Sequence, residues 1–148
     1  MKPDADHLIR TLAMRLLGHI MPAVGTEYTQ SNVALVSLLM MAAAVDFDRA
    51  ASRLIEENRE MRRLFAASLA VVSDKDLAQR LAEASAAVDE DFRVSALESV
   101  NQPMRSLLID LHAHIEALES EEAKQLDDAI WRELAASAKR RSYDIWPA

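Results

Sequence analysis

Four histidines and a scatter of carboxylates are the residues through which this chain could do chemistry, and a metal centre is the first possibility to test. Di-iron sites in helical bundles need Glu-x-x-His on two helices, with further carboxylates facing inward. The chain contains no Glu-x-x-His and no His-x-x-x-His. His112 and His114 stand two residues apart, roughly 200° around a helix, so they flank an apolar face from opposite sides and cannot share one ion. Asp4 and His7 make a lone Asp-x-x-His near the start. His19 falls in line with Leu8 and Leu12 and reads as a boundary residue. No metal ligand and no cofactor are expected from these patterns.

Covalent catalysis is no better supported. There is no cysteine, which removes disulfides, thiolate nucleophiles and cysteine-based metal sites. Ser31, Ser73 and Ser120 stand where helices should begin, and Ser37 sits among apolar residues, so capping and small-residue packing account for them. No glycine-rich phosphate loop or nucleophile elbow occurs. The sequence therefore names no catalytic residue.

Asp46 is the acid most open to a functional reading, because it ends an apolar run. One reading makes it a pocket acid with a raised pKa. The preferred one pairs it with Arg49 or Arg53 where the helix meets solvent. Glu56, Glu57 and Asn58 read in the same way, as part of a charge-rich, solvated stretch. If a small apolar or acyl ligand binds, the expected wall is Val36, Met40, Phe47 and Met61, with Asp46 or His114 as the polar contact. Methionine suits irregular ligands, although core filling is its commoner use.

The elements that must position these residues are helices. From Thr26 to Gln102 there is neither glycine nor proline, which disfavours turn-rich β structure. Ala, Leu, Glu, Arg and Met are abundant and favour helix. A first amphipathic helix is expected over about 4–21. A second should begin near Ser31 or Asn32 and run toward Val72, with a break plausible near Glu57 or Asn58. A capping box at Ser73 and Asp76 opens a stripe that continues to Val100, in one helix or two. Asn101 is expected to cap the next helix, with Pro103 in its first turn, and Ser120 to cap the last. The result is a single all-α domain over 1–148, an antiparallel bundle of four to six helices.

The run 33–45 is the centre of that reading. It falls short of the roughly 20 apolar residues of a membrane span and is followed at once by Asp46 and Asp48. A helix apolar on all sides is normally buried. This one should lie at the centre of the bundle or against a second copy, and a homodimer is expected. The tail at 142–148, with Tyr143, Ile145 and Trp146, should dock on the bundle or on a partner chain. Lys139, Arg140 and Arg141 suit a helix C-terminus. With a formal net charge of −7, neither nucleic acid nor an anionic membrane is an expected partner. No motif of a characterised family appears. The leading expectation is a non-enzymatic interaction or accessory protein of the cytoplasm, oligomeric and with a possible further protein partner. The alternative is a bundle that binds a small apolar or acyl ligand, with or without enzymatic activity.

Overall fold

The structure, a computed structural model, describes residues 4–142. Among those residues it is all-α, with five α-helices and no strand. Helix α1 spans Ala5–Arg15 and is prolonged by a π-helical turn, Leu16–Ile20, and a 3₁₀ turn, Met21–Ala23. Helix α2 spans Glu27–Ser68, α3 Lys75–Ala86, α4 Val94–Glu116 and α5 Glu121–Arg140. The chain divides into two compact units. The first holds residues 4–50, and the second is Ala51–Ser142. The expected aromatic tail, Tyr143, Ile145 and Trp146, lies outside the described residues.

The second unit has a conventional core. Phe65 of α2, Leu81 of α3, Leu111 and Ile115 of α4, and Ile130 of α5 are all but inaccessible to solvent. Each such side chain contributes about 1.5–3 kcal/mol by leaving water. The short connection 117–120 turns α4 back onto α5, and the two helices are direct neighbours. Ser120 caps α5 as its residue type predicts, its Oγ accepting from the Ala123 amide at 3.1 Å. Ser120→Ala should cost about 1 kcal/mol, read as a lower urea midpoint with an unchanged slope.

Several boundaries differ from the sequence expectation. Helix α3 is capped by Asp74, whose Oδ1 accepts from the Leu77 amide at 2.9 Å, and not by a Ser73 capping box. The long stripe breaks after Ala86 and resumes at Val94, so it forms two helices. Asn101 does not start a helix: α4 runs through it, with Pro103 inside. Pro103 and Ser99 are both exposed, so the carbonyl that proline leaves without a donor faces water. Helix α2 starts four residues before Ser31 and has no break at Glu57 or Asn58.

Candidate functional site

The all-round apolarity of 33–45 resolves into two faces. At about 100° per residue, Ser37, Met41, Ala44 and Val45 share one side of α2. All four are buried. Leu35, Val36, Leu39 and Phe47 share the opposite side, and all four are exposed, Leu39 and Phe47 by 60% and 62%. Leu38 stands at the edge of this bare face and is also exposed. The expected helix buried on every side is therefore corrected: this chain covers one side and leaves the other open.

The rest of the first unit adds to the same kind of surface. Leu8, Leu12, Met14 and Ile20 are exposed on α1 and its π-helical extension. A cleft of about 260 Å³ is lined by Leu17, Ala34, Leu35, Leu38 and Met41, all apolar. From Tyr28 to Val45 the helix bears no charged side chain. Soluble monomers rarely expose contiguous apolar surface beyond a few hundred Å². Nine large apolar side chains, each between 38% and 62% exposed, are concentrated in this one small unit.

Compared with known proteins, the chain matches no family model, no curated protein and no solved structure.

The predicted ligand set is divided between the two units. Val36, Met40, Asp46 and Phe47 belong to the first, and Met61 and His114 to the second. Met40 and Asp46 are half-buried, whereas Val36 and Phe47 face solvent. Met61 is in the core of the second unit. Beside it, with Glu57, Arg105, Leu108, Glu133, Leu134 and Ser137, is a cavity of about 40 Å³, room for a water or two. His114 is half-buried on α4, and its buried Nε2 has no hydrogen-bond partner.

What the sequence did not announce is a buried polar network in the second unit. Glu57 is 3% exposed and Asn58 and Asn101 are fully buried, which overturns the reading of this stretch as a solvated face. One carboxylate oxygen of Glu57 accepts from the Ser137 hydroxyl at 3.0 Å and from Arg141 Nε at 2.9 Å. The other accepts from Arg141 at 2.5 Å and from Asn101 Nδ2 at 3.4 Å. Asn101 also donates to Asn58 Oδ1 at 2.9 Å, and Asn58 donates onward to Asp89 at 3.2 Å. Arg62 grips Asp89 with two bonds, of 2.8 and 2.6 Å.

The charges of this network are balanced in place. Burial is the largest single influence on Glu57 and opposes its ionisation. Hydrogen bonds from Arg141 and Ser137, with the charges of Arg141 and Arg140, together outweigh it, so Glu57 titrates below the ordinary range. Asp89 is lowered mainly by its bonds to Arg62, against a smaller effect of burial. Glu133 moves the other way, raised by burial despite its contact with Arg140. The basic run at the end of α5 is thus explained by more than the helix dipole, because Arg140 and Arg141 neutralise buried acids.

A third cluster joins α4 to α5. His112 Nε2 lies 2.8 Å from Asp127 Oδ1 and 3.7 Å from Glu116 Oε1. The Trp131 ring meets the imidazole edge-on at 5.2 Å. A search confined to His-x-x-x-His and Glu-x-x-His passes over this group. Its legible part was His112 with Glu116, an i, i+4 pair on one helix face.

Proposed function

We propose that this chain is a self-associating interaction module, a homodimer joined through the apolar face of its first unit. The observation that carries this reading is the bare face of Leu35, Val36, Leu39 and Phe47, directly opposite a buried one. A second copy of the chain is the occupant that fits best. The uncharged stretch offers nothing for a charged ligand to recognise, and a chain of net charge −7 repels its own copies except across such a stretch. A two-fold interface also presents the same apolar patch from both sides, so each copy supplies what the other lacks. Stable interfaces of this kind bury about 800 Å² per partner. Among the described residues, no helix is long and apolar enough to cross a membrane.

Sedimentation velocity tests the reading. The wild-type chain is expected to be a dimer at micromolar concentration. Leu35→Asp with Leu39→Asp should give a folded monomer, with dimer affinity lowered about 100-fold or more, since two desolvated charges would face their own copies. A wild-type monomer at tens of micromolar would end the proposal.

The apolar cleft beside Leu17 and Met41 favours one second reading, a small apolar or acyl ligand seated there. Native mass spectrometry separates the two. A retained mass of a few hundred daltons on a monomer supports the ligand, and an unliganded doubled mass supports the dimer.

A further inference from the structure

We propose that His112, Glu116 and Asp127 form a binding site for a first-row transition-metal dication. The three ligand atoms, one from each residue, lie within 4.8 Å of one another. Zinc–nitrogen and zinc–oxygen bonds of about 2.0–2.2 Å place neighbouring donors roughly 3.0–3.5 Å apart around one ion. The separations from Nε2 are 2.8 and 3.7 Å, and the two carboxylate oxygens lie within 4.8 Å of each other, so they draw together by up to about 1.5 Å to share one ion. Glu116 is the most exposed of the three and sits at the end of α4, so its carboxylate is the one free to move.

Charge and placement point the same way. Neither Glu116 nor Asp127 is paired with a lysine or arginine among the described residues; both face the single imidazole. Even a protonated His112 balances one of the two carboxylates, and at 3.7 Å Glu116 is outside hydrogen-bond range. A dication held by a neutral imidazole and two carboxylates leaves the group uncharged. His112 is already positioned for this. Its side chain is 17% exposed, and the edge of Trp131 fixes the ring with Nε2 toward both acids. The ligands sit on two packed helices and not on loops, which keeps the geometry defined. Mixed nitrogen and oxygen donors suit zinc and its first-row neighbours over calcium or magnesium.

The test is calorimetric titration of the untagged full-length chain with Zn²⁺ alone. One Zn²⁺ per chain should bind with a micromolar or tighter Kd. His112→Gln and, separately, Glu116→Gln should each weaken it about tenfold or more. Glu116 is 58% exposed, so its substitution leaves the fold intact even where His112→Gln disturbs helix packing. An independent readout uses Co²⁺ in a Trp146→Phe background, where fluorescence reports Trp131. Quenching is expected in the parent chain and should be lost in Glu116→Gln. No saturable Zn²⁺ binding below millimolar concentration, or equal binding by parent and variants, would overturn the site. The His112–Asp127 bond would then be a plain clamp between two helices.

Discussion

Asp89→Ala should destabilise the second unit by about 3–5 kcal/mol, the cost of stranding a buried charge. Asp89 stands in the connection between α3 and α4 and receives both Arg62 bonds, with side chains 8% and 13% exposed respectively. Removing the carboxylate leaves a largely buried guanidinium without the two bonds that balance its charge. It also removes the acceptor of Asn58 Nδ2, which then has only the Leu97 carbonyl, at 3.4 Å. A domain with 5–15 kcal/mol of total stability would lose a large part of it. The reading is urea unfolding followed by Trp131 fluorescence in a Trp146→Phe chain. Arg62→Met with Asp89→Leu makes the explanation specific. If stranded charge is the cause, the double variant recovers most of the loss, because the pair has then left together. A double variant as unstable as Asp89→Ala would show that the pair's bonds, and not the unpaired charge, hold the connection.

The parts of this fold that were legible are those set by local pattern. Ser120 followed by two glutamates and an apolar stripe reads as the start of α5, and α5 starts there. The i, i+3, i+4 lines through Leu107, Leu111 and Ile115 are buried as the period requires. What failed were inferences from single residue types. Asn101 resembles a cap because asparagine offers an oxygen to free amides, and Pro103 behind it strengthens that reading. In the structure the same side chain serves a tertiary purpose, linking Glu57 to Asn58 from mid-helix. Nothing within ten residues of Asn101 encodes that, since its partners are more than forty residues away. Glu57 misled for the same reason. Its neighbours Glu56 and Arg59 are exposed, and its partners come from the far end of the chain, at Ser137 and Arg141. The run 33–45 shows the opposite limit. Periodicity found that every side of the helix is apolar, but a pattern cannot say how many sides a single chain can cover.

Glu57→Gln should cost the second unit about 3 kcal/mol at neutral pH and should also flatten its acid limb. Glutamine keeps the volume of the buried side chain but exchanges two charge-assisted bonds from Arg141 for weaker ones, and it places an amide donor against donors. Arg141 is one-third exposed and can partly rehydrate, so the loss is smaller than for Asp89. The pH dependence follows from the direction of each shift. Glu57 and Asp89 both titrate lower in the folded chain than in the unfolded one. Their contribution is complete above the ordinary carboxylate value of about 4 and is lost as pH falls through their folded values. Glu133 is raised and works in the other sense. Its contribution is present below the ordinary value and lost as pH rises through the folded one, so stability should rise slightly on mild acidification before it falls. Urea midpoints measured from pH 7 down to pH 2 should trace that rise and fall in the parent chain. In Glu57→Gln the decline below about pH 4 should be shallower, by up to one proton's worth of slope, since one of the carboxylates that titrate lower in the folded chain is gone. An unchanged acid limb would mean that Glu57 is not ionised in the folded chain, and the balance of charge around Arg141 would have to be drawn differently.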